Sequence, residues 1–206
     1  TEREETQMEM TEQYPGYDHR VQYYETDQMG CVHHSNYIRW FEESRSDYLA
    51  YLGMDYDKME AAGVISPVLT VEAAYRSMTR YGEEVHIEVS VKKYNGVKIF
   101  LEYHIKDKKD GTLRCSGQTS HCFLNREGKP LSLKKEKPEW HEILKRECER
   151  AQEQMDNRGK NPPENEKAEK VRITAHIKIE RRDPVRNEST ITGNKSHIFQ
   201  CRSMLY

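Results

Sequence analysis

Two short turns, Asn95-Gly96 and Asp110-Gly111, constrain this chain more than any other feature. Each separates runs in which apolar residues alternate with polar ones. Val85, Ile87, Val89 and Val91 precede the first turn, and Ile99, Leu101, Tyr103 and Ile105 lie between the two. Leu113, Cys115, Gly117, Thr119, His121 and Phe123 follow the second. A period of two gives each strand one apolar face, and Asx-Gly closes a tight hairpin. Three consecutive antiparallel strands are therefore predicted. Upstream, Tyr37, Trp40, Phe41, Ser44, Tyr48 and Leu52 recur at spacings of three and four, opposite Arg39, Glu42, Glu43, Arg45 and Asp47. That spacing predicts one long amphipathic helix, capped by Ser35 or Asn36 and stopped at Gly53. A strand from Tyr17 to Tyr24, a helical turn from Asp55 to Ala62 and a strand over 64–75, with Pro67 near its start, complete the order. The layout is α+β, with the helix laid across one face of an antiparallel sheet. The other face or an edge is left unsatisfied, so a homodimer or homotetramer is expected.

The rest of the chain is bounded by composition. Of its 206 residues 33% are charged and 35% hydrophobic, with a mean hydropathy of −1.02, too polar for every segment to share one core. Beyond Ser132 more than half of the residues up to Lys170 are charged. Three parts are expected: a tail over 1–16, a domain over 17–133 and a charged extension over 134–206. Within the extension Trp140, Ile143, Leu144, Cys148, Ala151 and Met155 share a helical face behind Pro138, which suits a first turn. A linker follows, then an alternation from Val171 to Ile179 that reads as a strand. No run reaches the length of a membrane helix, and the acidic opening lacks the form of a secretory signal. A cytoplasmic protein is expected, with Met8 or Met10 as its natural start. The five cysteines, Cys31, Cys115, Cys122, Cys148 and Cys201, form no C-x-x-C pair and read as free thiols. A net charge of −2 gives no general pull toward nucleic acid, so any anion must be held by a local patch.

Chemistry concentrates in the segment YYETDQMGCVHHSNYIRWFEESRSDYL. It resembles the loop and central helix of the 4-hydroxybenzoyl-CoA thioesterase family, with Asp27, Gly30, Val32, His34 and Tyr37 falling on the family pattern. AAYRSMTRYGEEVHIEV, with its turn at Tyr81, Gly82 and Glu83, is similar to a second family segment, and SGQTSHCFLNREGKP to a third. Together they span about Tyr17 to Leu133 in order. The resemblance implies a hot-dog fold, a sheet wrapped around one central helix. It also implies active sites at a dimer interface, no metal and no cofactor.

The residues make chemical sense on their own. Aspartate is ionised at neutral pH, with an unperturbed pKa of about 3.9, so Asp27 is a candidate general base or direct nucleophile. The loop runs into a helix start, where unpaired N–H groups and the positive dipole end can polarise a carbonyl. By resemblance the N–H near His34 is the oxyanion donor. The His34 side chain would orient the loop or the acyl carbonyl, and Gly30 would let the chain turn close to the substrate. Tyr37 is a candidate for the acyl pocket, although an aromatic stripe at helical spacing is more often core. Arg76, Arg80, Lys92 and Lys93 are the nearest cations for the phosphates of coenzyme A, the first two being the chosen candidates.

Each residue has a plainer role. Asp27 alone would be a turn cap. His33 and His34 as a metal pair lack further ligands, since His86, His104 and His121 fall on separate strands. Cys31 as a nucleophile competes with simple packing. The leading expectation is hydrolysis of an acyl-coenzyme A thioester to free acid and coenzyme A. The alternatives are a non-catalytic module that binds acyl-CoA or acyl-carrier protein, and a dehydratase or hydratase of the same fold. The order of Asp before His favours hydrolysis over the last.

Overall fold

A computed structural model describes residues 13–160 of the chain. The alternating runs form strands β3 (Glu84–Tyr94), β4 (Lys98–Asp107) and β5 (Leu113–Cys122), joined at the two Asx-Gly turns. Asn95 Oδ1 accepts the N–H groups of Val97 and Lys98, while Gly96 supplies the positive φ of 88° that the reversal needs. β1 (Tyr17–Arg20) pairs with β3, and β2 (Val68–Tyr75) pairs with β5, so the sheet order is β1-β3-β4-β5-β2, antiparallel throughout.

Helix α1 (His34–Tyr51) lies against the apolar face of this sheet. Trp40, Phe41, Tyr48 and Leu52 are buried against Val85, Ile87, Val91, Leu101, Tyr103, Ile105 and Cys115. Each such large side chain contributes about 1.5–3 kcal/mol. Phe41 stacks on Tyr103 with ring centroids 4.5 Å apart, and Gly117 makes room for it. A Cβ at that glycine would sit 2.2 Å from the Phe41 ring. The short helix α2 (Tyr56–Ala61) follows α1.

Three expectations need adjustment. The first strand is shorter than 17–24, because Tyr23–Glu25 turns into a 3-10 helix that turns Glu25 inward. The cap of α1 is His33, whose Nδ1 accepts from the Ser35 N–H, not Ser35 or Asn36. A ring nitrogen does the work that Ser or Asp does elsewhere. The strand anticipated over 64–75 begins only after Pro67, at Val68.

The outer face of the sheet is polar and needs no cover. Lys92 pairs with Glu102 and Lys106 with Glu88 across the strands. The unsatisfied part is the β2 edge, where Val68, Leu69, Val71 and Tyr75 stand 37–47% exposed.

The charged segment beyond Ser132 contains the short helix α3 (Leu133–Glu136) and the long helix α4 (Pro138–Lys160). The compact unit runs through Gly159, so the change in composition at Ser132 marks a change of surface and not the end of packing. Leu133, Leu144, Cys148 and Ala151 are buried, while Met155, anticipated on the same face, is 46% exposed. Tyr48 donates to the buried Glu147 at 3.0 Å, and Arg150 balances that carboxylate. Tyr94 Oη meets His141 Nδ1 at 2.9 Å. α4 and residues 13–16 thereby flank β3 beyond the point where β1 stops. The linker anticipated from Asn157 starts too early, because α4 continues to Lys160; the rest of it and the alternation from Val171 to Ile179 lie outside the described residues. Among the described residues no helix is long and apolar enough to cross a membrane.

Candidate active site

The segment between the 3-10 turn and α1 is a closed loop. Thr26 bridges to Val32, the Asp27 N–H donates to the Cys31 carbonyl at 2.9 Å, and the Gly30 N–H donates to the Asp27 carbonyl at 2.9 Å. Gly30 has a φ of 70°, a conformation that other residues adopt at a cost. Asp27 is half-buried. Its Oδ1 accepts the Met29 N–H at 2.8 Å and lies 3.9 Å from the Cys31 thiol. Among the described residues no donor engages Oδ2.

The loop delivers the chain directly into α1. The His33 N–H donates to the Glu25 carbonyl at 2.8 Å, and the Asn36 N–H turns back to the His33 carbonyl. The N–H of His34, first in the helix, has no intrahelical acceptor and none among the described residues. The His34 ring is exposed, 4.1 Å from the His33 ring by centroid, and Tyr75 of β2 donates its hydroxyl to the His34 carbonyl at 3.1 Å.

The remaining candidates divide. Arg80 reaches the loop, its Nη1 donating to the Gly30 carbonyl at 3.3 Å. Tyr37 is buried, donates to Thr79 Oγ1 at 3.1 Å and packs edge-on to Tyr75 at 5.3 Å. Burial raises its phenol above the usual range, more than the Thr79 bond lowers it. Arg76 instead lines a groove on the outer sheet face with Glu72, Glu102 and His104. Lys92 is in its pair with Glu102 on that face too. Among the described residues no three His, Cys, Asp or Glu side chains converge to hold a metal.

Sequence reasoning missed what anchors the loop. Glu25, 4% exposed, accepts from the Gln22 N–H at 2.6 Å, from Trp40 Nε1 at 2.7 Å and pairs with His19 Nε2 at 3.0 Å. Burial alone would raise this carboxyl, but the His19, Gln22 and Trp40 bonds together hold it below the usual range. The Glu25 carbonyl also accepts from Asn36 Nδ2 at 2.7 Å. Glu25, Asn36 and the helix thus clamp both ends of the loop. Thr79 adds a third tie, its carbonyl accepting the Val32 N–H at 2.8 Å. A charged residue beside two exposed tyrosines carries no periodic signal of burial, and its partner Trp40 is fifteen positions away.

Comparison with known proteins bears on the fold and the family. The sequence profile of the thioesterase-like superfamily matches residues 21–157. YneP of Bacillus subtilis (strain 168), provisionally described as an acyl-CoA thioesterase, is 38% identical over 122 residues, 59% of this chain and 88% of the relative. Among solved structures, a DHNA-CoA thioesterase from Staphylococcus aureus superimposes with a TM-score of 0.61 at 33% identity, covering 69% of this chain and 93% of that one. A protein of Aquifex aeolicus, of no stated activity, aligns with a TM-score of 0.57 at 30% identity, over 62% of this chain and 97% of its own. The five-stranded antiparallel sheet around one long helix is the hot-dog fold. The profile match takes in the loop, the central helix and every strand after β1, and on that basis the chain belongs to the thioesterase-like superfamily.

Proposed function

We propose that this chain is an acyl-CoA thioesterase of the 4-hydroxybenzoyl-CoA thioesterase type, with Asp27 as its catalytic carboxylate. One observation carries the reading: Asp27 has one oxygen fixed by the Met29 N–H and the other without a donor, on a loop that ends at an unengaged helix N–H. A carboxylate so held is oriented yet still able to act. Asp27 takes a proton from a water as that water adds to the thioester carbon, or attacks the carbon itself to give a mixed anhydride that a water then hydrolyses to the free acid and the regenerated carboxylate. The His34 N–H, at the positive end of α1, stabilises the oxyanion, a contribution of about a hundredfold or more in rate. Coenzyme A leaves as its thiolate, which needs little acid assistance. The exposed His34 ring and Gly30 shape the approach of the acyl carbonyl. Tyr37, behind Tyr75, backs the acyl site, and Arg80 beside Gly30 meets a phosphate. Arg76, in its groove on the outer sheet face, has no part in this arrangement.

The exposed apolar edge of β2 supports a homodimer, with Tyr75 of that edge tied to the start of α1. A cytoplasmic setting suits the free thiols Cys31, Cys115, Cys122 and Cys148. The test is thiol release from a panel of short, branched, long and aromatic acyl-CoAs, including 1,4-dihydroxy-2-naphthoyl-CoA. Asp27→Asn keeps the acceptor for Met29, so the fold should hold while turnover drops at least about a hundredfold. Turnover equal to wild type would sink the mechanism.

A further inference from the structure

The catalytic loop is bordered by side chains that the proposed chemistry leaves unused. Tyr23, Tyr24 and Tyr81 are 77%, 77% and 62% exposed, unusual for large aromatic side chains set so close together. Backbone geometry gathers them. The Val21 N–H donates to the Glu83 carbonyl at 2.9 Å and the Gly82 N–H to the Val21 carbonyl at 3.1 Å, so the strap after β1 lies along the 80–83 turn. Tyr23 and Tyr81 then meet at right angles, with centroids 5.7 Å apart and planes at 89°. This corner has aromatic walls with ring faces open to solvent.

Two guanidinium groups stand beside it. Arg80 follows the corner's edge to the Gly30 carbonyl, and Arg20 lines an adjoining cleft of about 740 Å³ with Gly82. Among the described residues neither guanidinium has a carboxylate partner. Acids and bases balance in that cleft: Glu83 and Asp107 pair with Arg114, Glu84 pairs with Lys108, and Asp110 accepts the Thr112 N–H, which leaves the Arg20 guanidinium over. On the outer sheet face, by contrast, Lys92 and Lys106 are neutralised in pairs.

Resting on the thioesterase reading, we infer that the corner of Tyr23 and Tyr81, with Arg80 and Arg20, seats the nucleotide end of coenzyme A. The adenine lies against a tyrosine face and the phosphates face the two guanidinium groups. The shelf adjoins Gly30, so the pantetheine arm runs from it across the Arg80–Gly30 contact to Asp27. The occupant must be both flat and anionic: a purely apolar partner leaves both arginines unpaired, and a simple anion leaves the rings bare.

Two measurements test this. Calorimetric titration with adenosine 3′,5′-bisphosphate should show binding to the full chain, weakened about tenfold by Tyr81→Ala or Tyr23→Ala, retained by Tyr81→Phe, and weakened by added salt. In turnover, wild type should prefer an acyl-CoA over the matching acyl-pantetheine through KM, and Tyr81→Ala should erase that preference. No nucleotide binding, alanine variants that bind like wild type, or a preference that survives them would overturn the assignment. So would a change of subunit assembly in the alanine variants, which would make the corner an interface between copies. Absence of turnover on both thioesters would count against the thioesterase reading alone, since the titration judges the shelf independently.

Discussion

Glu25→Gln separates the loop anchor from the proposed catalytic carboxylate, Asp27. Glutamine keeps the shape but replaces one acceptor oxygen with an NH₂ group. Either Trp40 Nε1–H, now at 2.7 Å, or the Gln22 N–H, at 2.6 Å, then faces a donor. A hydrogen bond to a charged group is worth about 1.5–3 kcal/mol, and a buried donor left unmet adds its own desolvation cost. The variant should therefore lose about 3 kcal/mol of folding stability at pH 7. That is a large fraction of the roughly 5–15 kcal/mol typical of a domain. The loss is pH-dependent with a definite sign. The folded carboxyl is held below its ordinary value, so its stabilisation is complete above the unfolded glutamate pKa of about 4.3. It disappears as pH falls through the lower folded value. Urea unfolding of wild type and variant at several pH values should show a gap that is full at pH 7 and narrows as pH falls below the ordinary glutamate range. Because the Glu25 carbonyl holds His33 and Asn36, turnover should also fall, through kcat more than KM. A variant within about 0.5 kcal/mol of wild type across that range would refute the argument.

Gly117→Ala places a Cβ 2.2 Å from Phe41 Cζ and 2.8 Å from the Glu72 carbonyl, and should cost about 2–3 kcal/mol in urea unfolding. Phe41→Leu in the same chain should restore part of the loss, which identifies the ring as the obstacle. His121 is buried with Nδ1 lacking a partner, and desolvation followed by the Arg45 charge lowers its imidazole to about 4. The native state then binds fewer protons than the unfolded one between about pH 6.5 and 4. Stability should decline by about 3 kcal/mol as pH falls through that window, and His121→Gln should flatten the slope in thermal melts at pH 7 and 5. Gly30→Ala meets nothing nearer than Arg80 Nη1 at 3.8 Å, so only its positive φ matters. A loss of about 1–2 kcal/mol is expected in the same melts.

What could be read from the sequence is what depends on near neighbours along the chain. The strands around Asn95-Gly96 and Asp110-Gly111 follow from alternation and turn chemistry, and α1 follows from a stripe of period 3.6. The Asp27 loop stood out because its residues lie within eleven positions. What escaped depends on distant contacts. Arg80 meets Gly30 across fifty positions, whereas Arg76, four residues earlier, faces the other side of the sheet. No local rule separates the two. The cap of α1 escaped for a different reason: histidine seldom takes that role, and only the Nδ1 geometry reveals it. The extent of α4's packing was hidden by its charge, since Leu133, Leu144, Cys148 and Ala151 make a narrow buried seam in an otherwise polar segment.

The two borders of the sheet are not equivalent. β1 is four residues long, tied through Asp18 to His86 and Lys108, and α4 stands where the ladder would otherwise continue along β3. Among the described residues that side offers a further strand only the four residues of β1. β2 is eight residues long and offers its backbone and apolar side chains freely. A second copy that paired through β2 would cover the longer of the two borders and, with it, the exposed apolar side chains that make an open edge prone to fibre growth.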